Sequence, residues 1–193
     1  HAIPDTWHQM GVILSATDSL NWLSRVTGQD PAGLAASAEA GFAGPGETMF
    51  LPYLSGERTP HNNAGARGSF VGLSQSTEVG HLAQAVMEGV AFAFRDCQRV
   101  LADAGTRTNR LLAVGGGSKS NLWLRLLAAN LEVEILLPED GDFGGALGAA
   151  RLALCAAEGA APADVMTMPG IRRVVTPEPD LVAAYAEHYA RYR

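Results

Sequence analysis

The longest regular pattern of apolar residues in the chain lies between residues 78 and 104. Apolar side chains recur there at three- and four-residue intervals, which places them on one face of an α-helix. They are Val79, Leu82, Ala83, Val86, Met87, Val90, Ala91 and Phe94. Thr77 is a suitable N-cap and Gly105 a suitable terminator. The pattern therefore predicts a long amphipathic helix with one face in a core.

Shorter patterns on both sides predict an alternation of strands and helices. Further helices are predicted at residues 15–28, 31–43, 121–131, 145–158 and 179–192, and strands at residues 7–14, 49–54, 69–73, 111–114 and 133–137. Residues 160–176 are interpreted as a surface connection. Strands and helices alternate in the second half, which favours α/β layering. No repeat or linker divides the chain, so we predict one domain.

A polar stretch, SGERTPHNNAGAR at residues 55–67, separates two of the predicted strands. Loops of this length in compact domains are usually functional. Two interpretations of Glu57, Arg58 and Thr59 stay open. They belong either to an exposed loop with a surface ion pair, which contributes little energy, or to a loop that acts in substrate binding or domain closure.

Composition narrows the class of protein. The chain has 193 residues, of which 47% are hydrophobic and 18% charged, with a net charge of −6; this is typical of a globular domain. No basic run exceeds the Arg172-Arg173 pair, which argues against a nucleic-acid partner. No apolar run approaches the roughly 20 residues that cross a bilayer, so no membrane partner is predicted.

The cysteines and histidines give no sign of metal chemistry. Cys97 and Cys155 fit no metal or redox spacing, and the five histidines are scattered. We predict that both thiols are buried, as in proteins of a reducing compartment such as the cytoplasm. His81 stands at the start of the long helix, where a structural role is favoured over proton transfer.

Residues 111–121, LLAVGGGSKSN, carry the clearest candidate chemistry. An apolar strand runs into glycines 115–117, and a helix follows. Main chain without side chains lets a ligand approach closely, and free N–H groups at the start of a helix favour an anionic or polar ligand. The pattern predicts a nucleotide-type site.

Three explanations of this turn compete on the residues alone. A Walker P-loop is rejected because Ala113 and Ser118 occupy the positions of its glycines. A Rossmann fingerprint fits in part, with Glu139 as the acidic residue, but Ser120 replaces the third glycine. A tight turn with no ligand is the third explanation.

Several motifs in sequence order select among these explanations. GSFVGL at residues 68–73, followed after seven residues by HLAQAVME at 81–88, resembles the second signature of the FGGY carbohydrate kinases. GGGSKSN resembles the nucleotide-binding turn of that family, and GGALGAA at 144–150 its small-residue helix. LPYLSGERTPHNN and GALGAARLA are most similar to the members that phosphorylate D-xylulose, with gluconate and ribulose kinases as alternatives.

The resemblance implies a fold and a domain organisation. Family members have two actin-like (ribonuclease H-like) domains with the active site between them; the first binds sugar and the second most of the ATP. Residues 1–193 resemble the second domain, a mixed sheet flanked by helices. Its first strands and the catalytic Asp are expected upstream, so the chain is interpreted as a fragment that is inactive alone. The expected partner is the N-terminal sugar-binding domain, and a homodimer stays among the alternatives.

The resemblance also implies a reaction and a set of ligand contacts. ATP, with Mg²⁺, would transfer its γ-phosphoryl group to a sugar hydroxyl, for D-xylulose giving the 5-phosphate. The implied nucleotide-binding residues are Gly116, Gly117, Ser118, Asn121, Thr17 and Asn21. For Asn121 the alternative is a helix cap. No residue of this chain is assigned as catalytic or as a metal ligand.

Overall fold

The computed structural model describes residues 5–139, 141 and 144–193. Its helices are α1 (Thr17–Thr27), α2 (Pro31–Ala40), α3 (Val79–Asp103), α4 (Asn121–Leu131), α5 (Gly144–Glu158), α6 (Pro162–Val165) and α7 (Pro179–Tyr192). Its strands are β1 (Met49–Leu51), β2 (Ser69–Val71), β3 (Arg110–Leu112), β4 (Glu134–Pro138) and β5 (Ile171–Val175). Across these residues, every helix is too short or too polar to cross a bilayer.

Helix α3 is the centre of the main hydrophobic core. Its apolar face is buried against α1, α2, α4 and β1. Glu78, and not Thr77, is the N-cap residue. Its main-chain N–H donates to His81 Nδ1 at 3.0 Å, whereas the Thr77 hydroxyl accepts from Ser74 N–H. The predicted helix and the structural role of His81 are confirmed, and the predicted cap is wrong by one residue.

Two small sheets flank this core. Strands β1 and β2 pair antiparallel, with Phe50 opposite Phe70. Strands β3, β4 and β5 form a mixed sheet in that order, with β3–β4 parallel and β4–β5 antiparallel. Helix α4 packs on the mixed sheet through a second apolar cluster of Leu124, Ala128, Leu131, Val133, Ile135, Leu137 and Val175. The predicted α/β layering with a mixed sheet is confirmed.

Two sequence predictions about secondary structure are wrong. Residues 7–14 form no strand in the structure. The main chain of Val12 instead bonds to Thr59, whose N–H donates to the Val12 carbonyl at 3.1 Å and whose Oγ1 accepts from Val12 N–H at 3.0 Å. Residues 160–176 are more than a surface connection, because they contain α6 and β5.

Candidate nucleotide-binding site

The glycine turn links β3 to α4. Gly115 has φ of 83°, in the left-handed region that favours glycine, and its N–H donates to the Gly141 carbonyl at 3.2 Å. A single 3₁₀ turn, Gly116–Lys119, follows. Ser118 closes it, because its hydroxyl donates to the Gly115 carbonyl at 2.7 Å. The turn therefore has one defined shape, with its main chain exposed on one side.

The two glycines after Gly115 differ in the space around them. A β-carbon at Gly116 would meet no atom within 4 Å. A β-carbon at Gly117 would lie 3.4 Å from Thr17 Oγ1 and 3.7 Å from the Trp123 ring. Neighbouring side chains therefore do not fill the turn, and Gly116 in particular presents open main chain.

A cavity of about 440 Å³ lies between this turn and helices α1 and α2. Five of the six residues that the sequence analysis selected for nucleotide binding line it: Thr17, Asn21, Gly116, Gly117 and Asn121. Small side chains of α2, from Ala32, Ala35 and Ala36, form an apolar wall opposite the turn. We call this space the α1–α2 cavity.

Ser118 is the exception among the six residues. It lines a second cavity of about 640 Å³, beside the ends of β4 and β5, together with Lys119, Glu139 and Arg173. Asn121 lines both cavities. The six selected residues therefore lie around one turn, but they line two different cavities, one on each side of it.

Asn121 does not cap α4, so that alternative is wrong. Ser120 is the N-cap residue, and its hydroxyl accepts from Trp123 N–H at 3.2 Å. The Asn121 amide instead donates from Nδ2 to Glu39 Oε1 at 3.3 Å and accepts at Oδ1 from Arg173 Nη2 at 2.6 Å. Glu39 and Arg173 were missed by the sequence analysis, since both are far from Asn121 along the chain.

The loop of residues 55–67 is anchored by a buried carboxylate. Glu57 is 1% exposed, and its Oε1 accepts from Arg58 N–H at 2.7 Å and from Leu14 N–H at 3.3 Å. Burial raises the pKa of the Glu57 carboxyl above its ordinary value, although these two hydrogen bonds oppose the shift. The interpretation as an exposed surface ion pair is wrong for Glu57. Arg58 itself is exposed.

The same loop is held against the last helix. The Tyr53 hydroxyl lies 2.9 Å from the Tyr192 hydroxyl and 3.0 Å from His61 Nε2. None of Glu57, Arg58 and Thr59 is among the residues that line the α1–α2 cavity or the second cavity. The loop and the glycine turn are therefore separate features of this surface.

The two thiols differ in burial. Cys97 is buried in α3, and burial raises its pKa to about 11. Cys155 is only half-buried, so the prediction of two buried thiols is confirmed for Cys97 alone. Over the ranges that the structure describes, no three His, Cys, Asp or Glu residues are grouped as metal ligands.

Comparison with known proteins identifies the family to which this α/β domain belongs. Residues 1–157 match the family model described as "FGGY family of carbohydrate kinases, C-terminal domain". The chain therefore belongs to the FGGY family of carbohydrate kinases and has its actin-like fold. The Rossmann explanation of the glycine turn is wrong.

The similar proteins include xylulose kinases and a gluconate kinase. The chain is 43% identical over 159 residues to the xylulose kinase of Escherichia coli K12, covering 81% of this chain and 33% of that protein. A crystal structure described as a "xyloylose kinase" from Brucella ovis has a TM-score of 0.92 and 53% identity, covering 100% of this chain and 40% of that chain. A gluconate kinase from Lactobacillus acidophilus has a TM-score of 0.77 at 28% identity, covering 93% and 37%. The chain spans about a third of the curated relatives' length.

Proposed function

We propose that residues 1–193 are the nucleotide-binding C-terminal domain of an ATP-dependent sugar kinase, and that the sugar is D-xylulose. One observation carries the proposal: the open main chain at Gly116 lies at the edge of the α1–α2 cavity. That cavity, of about 440 Å³, is within the size range of small-molecule sites. Its mixture of alanine side chains, amides and free main chain suits a purine nucleoside with phosphates.

Each selected residue has a chemical role in this proposal. Gly116 and Gly117 would approach the nucleotide through their main chain, where a side chain would keep it away. Asn121 would hydrogen-bond the adenosine part, since an amide both donates and accepts. Thr17 and Asn21 would border the nucleotide from α1, and Ser118 would contact phosphate or ribose.

The reaction proposed for the complete kinase is transfer of the ATP γ-phosphoryl group to a sugar hydroxyl. Mg²⁺, held mainly through the ATP phosphates, would offset their negative charge. This chain would bind and orient ATP, while an N-terminal domain would supply the sugar pocket and the catalytic base. Positioning of the reactants accounts for much of the acceleration in such reactions.

The loop that contains Glu57, Arg58 and Thr59 is proposed to act in domain closure. Its anchoring supports this role, because Glu57 joins it to Leu14 and Thr59 joins it to Val12. The segment before α1 and the loop are therefore one unit. A loop fixed in this way can present the exposed Arg58 to a neighbouring domain without first having to become ordered.

D-Xylulose is proposed as the sugar because seven curated relatives, at 33–43% identity, are xylulose kinases. Gluconate is the second candidate, since the gluconate kinase and a xylulose kinase from Lactobacillus acidophilus are both 28% identical to the chain, with TM-scores of 0.77 and 0.78. A panel of D-xylulose, D-ribulose and D-gluconate, with ADP formation followed in the full-length protein, separates these candidates. The 193-residue chain alone should form no ADP in response to sugar.

Gly116→Ala tests the nucleotide site directly. The new methyl group meets no protein atom within 4 Å, so the fold should be unaffected, but the methyl group would occupy the face proposed for ATP. We expect ADP affinity, measured by calorimetry on the full-length protein, to fall by about tenfold or more, which is about 1.4 kcal/mol. Gly41→Ala is the matched control, because its β-carbon would make only an ordinary contact at 3.8 Å. Equal ADP affinity in both variants would refute the proposed site.

A further inference from the structure

The side-chain amide of Asn121 is held from two sides by charged groups of opposite sign. Glu39 of α2 accepts from Asn121 Nδ2 at 3.3 Å, and Arg173 of β5 donates to Asn121 Oδ1 at 2.6 Å. The two charged residues come from opposite ends of the chain, and β5 lies beyond residue 157, where the match to the family model ends. We call these three side chains the Asn121 clamp.

The clamp permits only one orientation of the amide. A guanidinium carries only donors and a carboxylate only acceptors. Rotating the Asn121 amide by half a turn would bring its NH₂ group against Arg173 and its oxygen against Glu39, and both hydrogen bonds would be lost. Asparagine without such partners has no preference between the two orientations. The clamp therefore fixes which side of the amide donates and which side accepts.

A fixed amide can discriminate between purines. A primary amide can make four hydrogen bonds, two from its nitrogen and two to its oxygen. The clamp uses one of each, so the amide keeps one N–H and one lone pair for a ligand. Adenine offers a matching pair, the N6 amino group and the N7 acceptor, and asparagine pairs with both in nucleic-acid recognition. Guanine offers two acceptors, O6 and N7, at the same edge, so one contact would be repulsive.

We propose that Arg173 and Glu39 are positioning residues that fix the Asn121 amide so that the site prefers adenine over guanine nucleotides. The inference rests on the proposed function, because it assumes that nucleotide binds in the α1–α2 cavity. Two features of that cavity support it. Glu39 and Asn121 both line the cavity, and the adjacent alanines of α2 provide an apolar surface for a flat base.

The test compares Arg173→Met with Arg172→Met in the full-length protein. Both residues are exposed and lie in the same strand, but only Arg173 bonds to Asn121. We expect Arg173→Met to weaken ADP binding by about threefold to tenfold, the range for one ordinary hydrogen bond, because the substitution loosens the Asn121 amide and leaves its ligand contacts in place, with little change in GDP binding. The ratio of GDP to ADP dissociation constants therefore falls. Arg172→Met should retain the wild-type ratio.

Kinetics and a conservative variant separate positioning from a general structural effect. Arg173→Met should raise the KM for ATP and preserve kcat at saturating ATP, since Arg173 only orients the Asn121 amide that binds ATP. Glu39→Gln should keep the wild-type preference, because a glutamine oxygen can still accept from Asn121, whereas Glu39→Ala should lose it. A structural defect would instead lower kcat and the unfolding temperature together.

The outcomes distinguish the inference from the proposed function. If the wild-type protein prefers ADP and Arg173→Met keeps both the affinity and the ratio, the clamp does not select the base, and the nucleotide site itself stands. If the wild-type protein binds ADP and GDP equally, the clamp again does not select the base, and the nucleotide site itself again stands. If the wild-type protein binds neither nucleotide, the proposed function and the inference fail together.

Discussion

Replacing Glu88 by alanine removes the acceptor at the centre of a buried polar cluster. Glu88 is 1% exposed and lies on α3, facing α7. Its carboxylate accepts from the Tyr185 hydroxyl at 2.7 Å, from Gln84 Nε2 at 2.8 Å and from Gly46 N–H at 3.1 Å. These bonds connect α3 to α7 and to the segment before β1. Alanine leaves all three donors without this acceptor.

The expected cost follows from the Tyr185 hydroxyl and the Gly46 N–H, since Gln84 Nε2 keeps its bond to the Gly44 carbonyl at 2.7 Å. Each buried donor that loses its partner costs about 1–3 kcal/mol. Part of the loss is offset, because burial of the carboxyl is itself unfavourable and raises its pKa. We expect Glu88→Ala to lower the free energy of unfolding by about 2–4 kcal/mol, a large share of the 5–15 kcal/mol typical of a domain.

Urea unfolding followed by tryptophan fluorescence measures this change. Glu187→Ala is the control, since Glu187 is an exposed carboxylate on α7, and its removal should change the free energy by no more than about 0.5 kcal/mol. A loss below about 1 kcal/mol in Glu88→Ala would refute the view that this cluster stabilises the contact between α3 and α7.

Two further predictions concern the same core. Gly89→Ala should destabilise the protein by about 3 kcal/mol, because its β-carbon would lie 2.2 Å from the Phe50 carbonyl oxygen; an unchanged melting temperature would contradict this. Burial lowers the pKa of His188 below its ordinary value of 6.5, Arg191 acts in the same direction, and Glu187 opposes them. The free energy of unfolding should therefore decrease as the pH falls below 6.5, because the unfolded state then binds more protons than the folded state. The difference between the urea midpoints at pH 7.5 and pH 5.5 should be smaller in His188→Gln than in the wild type.

Strong periodic patterns were sufficient to predict the long helices, although the four-residue helix α6 was missed. Helices α4 and α7 begin and end where the sequence predicts, and α3 lies within one residue of its predicted bounds at both ends. Their apolar residues recur with the helical period over many turns, so tertiary contacts need only select the face that is buried. Gly105 follows α3 with φ of 91°, which confirms it as the terminator.

Short or mixed segments were not predictable in the same way. Strand β5 has the sequence IRRVV, and only Val175 in it is buried. It has no alternation of apolar and polar residues, and it is a strand because β4 supplies its hydrogen bonds, with Leu136 opposite Val174. Residues 7–14 show the reverse case, since their apolar residues suggest a strand but Val12 bonds to Thr59 instead of to a neighbouring strand.

The sequence by itself determined the family, the α/β layering and the glycine turn, because these depend on residues that are near one another in the chain. The burial of Glu57 and the clamp on Asn121 were decided only by the tertiary structure. Arg173 and Asn121 are 52 positions apart, and Asn121 and Glu39 are 82 apart. No local pattern encodes a contact between such residues, since the contact exists only once the sheet and the helices have packed.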